Sequence, residues 1–194
     1  MDNLSFFYKH CMANNPYYAF DKGIFLKWTK TDRPYMPPFA YPPIPSRTLN
    51  AVTINLDAWV YSLSIKIKKE IDFAKKGESP KVTDYPACAA ACYNPSNPNE
   101  IALNYSWRED HQVSYNQKML DLFNDRLETG PYKQSAVTGC KNPVGNCAEQ
   151  HVADDMLTHS ACSIADLHFS VAFRPRTMEY IPACTNCKAL FPQL

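Results

Sequence analysis

The chain has 194 residues, room for one sizeable domain or a domain with an appendage. Hydrophobic residues at 45% and charged residues at 20% exclude a wholly disordered chain. Twenty Lys and Arg against 19 Asp and Glu give a formal net charge of +1, so no global basic field is available to hold nucleic acid. Any such contact must be a local patch.

The N-terminus, MDNLSFFYKHCMANN, carries an acid at Asp2, no basic n-region and no apolar run long enough for an h-region. No secretory signal peptide is therefore expected. No stretch approaches the ~18 apolar residues that cross a bilayer. The expectation is a soluble chain with no membrane partner, either cytoplasmic or delivered as an effector without a classical signal peptide. In that setting the eight cysteines favour reduced thiols and a metal over a disulfide framework.

Residues 1–50 are rich in proline and aromatics, with six prolines between Pro34 and Pro45. Such a piece runs extended or as polyproline II. It is read as an ordered arm packing through Tyr35, Phe39 and Tyr41, ahead of a ligand for a Pro-recognising module. From Asp57 to Lys76, Val60, Leu63, Ile67, Ile71 and Ala74 recur at helical spacing, with Asp57 as N-cap and Gly77 as stop. Residues 77–98 are turn-rich and read as a loop or linker. The domain expectation follows: residues 1–96 as a Pro/aromatic-rich region with one amphipathic helix, and 97–194 as a zinc domain.

Glu100–Trp107 alternates as a strand, with Ile101, Leu103 and Tyr105 on one side. An amphipathic helix is expected from Asp110 to Glu128, burying Met119, Leu120, Phe123 and Leu127 and ending at Gly130. A short strand is expected at Gln134–Val137 and a helix capped by Asn146 running to Leu157. Leu167, Phe169 and Val171 alternate in a strand over Asp166–Phe173, and a last helix starts near Ala183 and ends by Phe191. The C-terminal half thus reads strand, helix, short strand, helix, strand, helix, an α/β pattern.

Two segments carry chemistry, Gly145-Asn146-Cys147-Ala148-Glu149-Gln150-His151 and Ile181-Pro182-Ala183-Cys184-Thr185-Asn186-Cys187. A lone Cys plus a Cys-x-x-Cys fills three corners of a tetrahedral zinc site and leaves the fourth for water. A carboxylate two residues from the first ligand, Glu149, can move that water's proton to a leaving amine. Three thiolates on one Zn²⁺ leave excess negative charge, for which helix dipoles and Lys141, Arg174 or Arg176 are candidate compensators. A structural zinc with Cys140 or His151 as fourth ligand, and a redox role for Cys184 and Cys187, are the alternative readings. Elsewhere His151 is read as a satisfied buried histidine ahead of a substrate contact. Cys88, Cys92, Cys140 and Cys162 are read as buried thiols, and Asn142 as a turn residue.

Cys-Ala-Glu, then a strand, then Pro-x-Cys-x-x-Cys resembles the cytidine deaminase-like superfamily, most nearly the bacterial polymorphic-toxin deaminases of the YwqJ-like kind. The resemblance covers roughly residues 97–194 and is specific at the two motifs. It implies a three-layer α/β/α sandwich with a Pro/aromatic-rich N-terminal extension, zinc held by Cys147, Cys184 and Cys187, and Glu149 as general acid/base. The implied substrate is a nucleobase in a nucleotide or nucleic acid, cytosine favoured over adenine on the resemblance alone. Tyr105, Trp107 and Phe169 are candidate stacking walls, and a toxin would have a dedicated immunity or inhibitor protein as partner. The second motif departs from the usual Pro-Cys by the inserted Ala183, and only seven residues follow Cys187. The pocket is therefore expected to borrow walls from residues 1–96, or the chain to belong to a trimmed lineage; the hairpin usual before the first motif is not evident, because a helix is read over 110–128. The runner-up function is a non-catalytic interaction module stapled by structural zinc, with the Pro-rich arm as working surface.

Overall fold

The computed structural model of the chain describes residues 24–27, 51–74, 86–106 and 114–194. The Pro-rich segment 34–45, Trp107 and the start of the helix expected from Asp110 lie outside the described residues. The described part combines helices with a six-stranded, wholly antiparallel sheet. Strands β1 (Ile24–Lys27), β2 (Ala89–Asn94), β3 (Asn97–Tyr105), β5 (Ala172–Arg174) and β6 (Glu179–Ile181) are ordered β1-β3-β2-β5-β6, while the two-residue β4 (His168–Phe169) also pairs with β2. No helix among the described residues is long and apolar enough to cross a membrane.

The central strand β2 falls in the stretch expected to be a loop. Its sequence AAACYN lies between Pro86 and Pro95 and lacks β-branched residues, yet all six residues are buried. Burial between neighbours on both sides overrides its weak strand propensity. The turn joining it to β3 is tightened by Asn94 Oδ1, which accepts from Ser96 N at 3.0 Å. A boundary drawn between residues 96 and 97 passes through the end of this hairpin's turn.

Helix α1 (Ala51–Ala74) starts six residues earlier than the periodicity suggests, so Asp57 is no N-cap. It sits inside the helix at 2% exposure, and its Oδ1 accepts from Val171 N at 3.0 Å. Of the expected apolar stripe, Val60, Leu63, Ile67 and Ile71 are buried. Leu56, Val60, Leu63, Ile67 and Ile71 pack against Ala89, Ala91, Tyr93, Ile101, Leu103, Tyr105, Val171 and Phe173 on one face of the sheet. At ~1.5–3 kcal/mol for each large side chain buried, this face holds α1 firmly to the sheet.

The other face carries α2 (Gln117–Leu127) and α3 (Ala148–His159), with α4 (Thr185–Leu190) against α2. Met119, Phe123, Leu127, Val152, Met156 and Leu190 share a core there with Cys92, Ala102 and Phe169. Asn116 caps α2 through its side chain, and Glu128 ends it in the left-handed region at φ 51°. Residues 134–137 form turns rather than a strand, with Val137 exposed.

The strand expected over Asp166–Phe173 is broken. Cys92 pairs with Phe169 and Ala89 with Phe173, so β2 advances three residues while its partner advances four. The extra residue is a β-bulge, and it reverses which face the following side chains meet. Phe169 joins the α2–α3 core, whereas Val171 and Phe173 join the α1 core. Ser170 fastens the bulge: Ala91 N donates to its Oγ, and its own N donates to Ala91 O, both at 2.8 Å. The chain then turns back through Pro175–Met178 into β6, a strand the sequence did not suggest, and β6 leads directly to the second cysteine motif.

Candidate metal centre

The two motifs meet at the ends of α3 and α4. Cys147 is the residue before α3 and Cys184 the residue before α4, both extended and neither capping its helix through its side chain. Cys187 lies one turn into α4 and is fully buried. The three sulfurs all lie within 4.8 Å of one another, and Cys147 and Cys184 approach to 3.4 Å. A metal bound tetrahedrally at ~2.3 Å holds its sulfurs about 3.8 Å apart, so this donor set fits a thiophilic ion. The group could hold a metal ion.

The sulfurs share their protons unequally. Hydrogen bonds with Cys147 and Cys187 hold Cys184 well below the ordinary thiol range. Hydrogen bonds with Cys147 and Cys184, with burial, push the Cys187 thiol up.

Glu149 projects from the first turn of α3 at 5% exposure, its Oε2 3.7 Å from Cys187 Sγ. Burial raises its carboxyl to about 7, and the charge on Cys184 adds to the shift. The thiol of Cys88, at the entry to β2, hydrogen-bonds the Ala148 backbone and is pushed up to about 12 by burial, with Glu149 adding to the shift. It remains neutral.

Among the described residues a donor to the cluster is Gln150, which sequence reasoning passed over. Its Nε2 donates to Cys187 Sγ at 3.6 Å, and its Oε1 accepts from Gly145 N. Lys141, Arg174 and Arg176, the residues considered for that role, are exposed. The signal was available, because Gln150 follows Cys147 by three residues and so lies on its helix face.

The loop before Cys147 is set by Gly145, at φ +87°. A β-carbon there would meet Pro131 Cβ and Tyr115 Cε2, each at 3.2 Å. Tyr115 OH donates to Gly145 O at 2.6 Å and contacts His151 Nδ1 at 3.4 Å. His151 is buried beside the Tyr115 ring, and burial lowers its pKa to about 3, so it is a neutral scaffold residue.

The segment after α2 is clamped to α4 by Asn186, also missed from sequence and fully buried. Its Oδ1 accepts from Thr138 Oγ1 and its Nδ2 donates to Asn142 O at 2.9 Å. Between these anchors lies Cys140, half-exposed rather than buried as expected, its thiol near enough to Cys184 to help hold it down.

Two of the aromatic candidates lie among the described residues. Tyr105 packs under α1 on the opposite face of the sheet, and Phe169 packs against Phe191 with ring centroids 4.8 Å apart. Cys92 donates to Val152 O at 3.1 Å, and Cys162 is a buried thiol, both as expected. The chain matches no family model, no curated protein and no solved structure.

Proposed function

We propose that the chain is a zinc-dependent hydrolytic deaminase acting on a nucleobase in a nucleotide or nucleic acid. The observation that carries the reading is the buried Glu149 carboxylate set 3.7 Å from one member of the three-cysteine cluster. A site built only to staple a fold has no use for a buried acid beside its ligands, which adds negative charge where it is least wanted.

Cys147, Cys184 and Cys187 would hold the zinc, leaving one tetrahedral corner. When bound, zinc supplies a Lewis acid that brings the pKa of water close to neutral. Glu149 Oε2 takes a proton from the attacking water and delivers it to the departing nitrogen, so that a ring amidine, N=C–NH₂, and H₂O become HN–C=O and NH₃. Gln150 holds Cys187 in place and offsets part of its charge. Placement of the motifs supports the accompanying fold reading, a three-layer α/β/α sandwich of the cytidine deaminase-like kind. A hairpin precedes the Cys-Ala-Glu helix, a strand pairing with β2 follows it, and α1 covers the other face. The toxin reading, with its inhibitor protein, rests on the motif resemblance.

The test is mass spectrometry of cytosine and adenine offered as nucleosides, nucleotides, single-stranded DNA, duplex DNA and RNA. Wild type is expected to add about one mass unit to one of them by exchanging amine for oxo, and Glu149→Gln to add none. Conversion that survives Glu149→Gln removes Glu149 from the mechanism.

A further inference from the structure

We propose that Cys140 is a fourth, displaceable thiolate ligand of the metal centre, able to close the corner left by Cys147, Cys184 and Cys187. The inference rests on the reading that those three cysteines hold zinc, and it adds a closed state to that centre.

Cys140 is brought to the cluster by bonds on both sides of it. Thr138 Oγ1 bonds Asn186 Oδ1 before it, and Asn142 O accepts from Asn186 Nδ2 after it. Asn186 stands between Cys184 and Cys187 in sequence and is fully buried, so the Cys140 turn is fastened directly to the Cys-x-x-Cys segment. Gly139, at φ +61°, and the Cys140 N to Thr138 Oγ1 bond at 3.3 Å shape the turn that presents the thiol. Its sulfur stands outside the group of three that lie within 4.8 Å of one another, but close enough to Cys184, the least buried of them, to help hold that thiol down.

The three cluster sulfurs sit on or next to helices packed in the core. Cys140 sits on a turn and is half-exposed, so it can reach the cluster or leave it by rotating about Cα–Cβ. Four cysteine sulfurs are a complete donor set for zinc, whereas three leave a corner for water. Cys140 therefore decides whether the centre is shut or open, and water or substrate must displace it.

The test is X-ray absorption at the zinc edge on the full chain reconstituted with zinc, in wild type, Cys140→Ser and Cys88→Ser. Wild type is expected to show four sulfurs at ~2.3 Å. Cys140→Ser is expected to show three plus one light atom, and Cys88→Ser to keep four. Three sulfurs in wild type, or four retained in Cys140→Ser, overturns the proposal while leaving the three-cysteine centre standing. Absence of one zinc per wild-type chain instead overturns the metal reading itself, and Cys140 ligation with it. Should Cys140→Ser fail to fold, Cys140→Ala supplies the same comparison and the wild-type sulfur count still decides.

Discussion

Gln150 joins the two cysteine motifs through one side chain, donating to Cys187 Sγ at 3.6 Å while accepting from Gly145 N. It thereby links the loop before Cys147 to α4 and places a donor on a sulfur that carries charge when metal is bound. Gln150→Leu keeps the packing volume and removes both bonds. The buried Gly145 N–H then lacks its acceptor, a loss of about 1–3 kcal/mol in folding stability. Zinc affinity is expected to fall by about ten- to a hundredfold, as when other outer partners of metal ligands are removed. Competition against a chromophoric chelator reads the affinity, and unchanged affinity shows that the bond to Cys187 is incidental.

Gly145 is the second fixed point. Any other residue there must hold φ near +87° and place a β-carbon 3.2 Å from Pro131 and Tyr115. Backbone strain of this kind costs about 1–3 kcal/mol. Gly145→Ala is expected to lower the urea midpoint accordingly. Because Cys147 follows two residues later, it should also weaken zinc binding, whereas Gly130→Ala, with open space around its β-carbon, should leave zinc binding unchanged.

Much of this arrangement could be read from sequence, and the failures have specific causes. The apolar stripe of α1, the alternation in β3 and the two cysteine motifs were visible because each is a local pattern. Strand β2 was not, since an alanine-rich run between two prolines resembles a linker until neighbouring strands close on it. Its small side chains are what let a helix come near: Ala90 packs against Ala148 at the start of α3, beside Cys147 and Glu149. The bulge at Ser170 was hidden because Leu167, Phe169 and Val171 alternate perfectly, yet Phe169 and Val171 meet opposite faces. The clamp from Asn186 to Thr138 and Asn142 is a tertiary contact, and spacing along the chain carries no trace of it.

A metal that binds only the folded chain stabilises it by mass action. Free zinc at a hundred times its dissociation constant adds about 2.7 kcal/mol, and at a thousand times about 4.1 kcal/mol. The melting temperature should therefore climb steadily with added zinc and drop with a chelator. Cys184→Ser should abolish most of that climb while leaving the chelator-treated protein close to chelator-treated wild type, because Cys184 is only half-buried. A zinc-independent melting temperature in wild type counts against metal binding by the folded chain.

Asp155 gives the fold a pH dependence separate from the metal. Burial raises its carboxyl from 3.8 to about 6, despite the Asn104 Nδ2 bond at 2.8 Å that favours the charge. Between those values the folded chain holds a proton that the unfolded chain has lost. The contribution of Asp155 to stability therefore falls as pH rises from about 4 to about 6, by up to about 3 kcal/mol at 1.36 kcal/mol per pKa unit. Asp154, also raised by burial, pushes in the same direction. Asp155→Asn can keep an acceptor for Asn104 and remove this titration, so its stability relative to wild type should rise between about pH 4 and about pH 6 by up to that amount, while the slopes from Glu149 and His151 are common to both proteins. Denaturant midpoints measured at pH 4, 5, 6 and 7 on both proteins read the difference directly.

Asp57 tests whether α1 is part of the same folding unit as the metal centre. It bonds Val171 N at the bulge that reverses the strand's face, between β4 and β5. Asp57→Ala leaves that buried N–H without this acceptor and removes a charge-assisted bond, together worth about 1.5–3 kcal/mol. If α1 and the sheet unfold as one unit, that loss appears as a single shifted transition. Tryptophan fluorescence, which includes Trp59 in α1, and thiol accessibility at Cys187 should then report the same midpoint. Separate midpoints, with Cys187 still protected after the fluorescence change, would make α1 a layer that leaves the sheet on its own. Asp57→Asn retains an acceptor oxygen and should recover most of the lost stability, which distinguishes the bond from the helix's general packing.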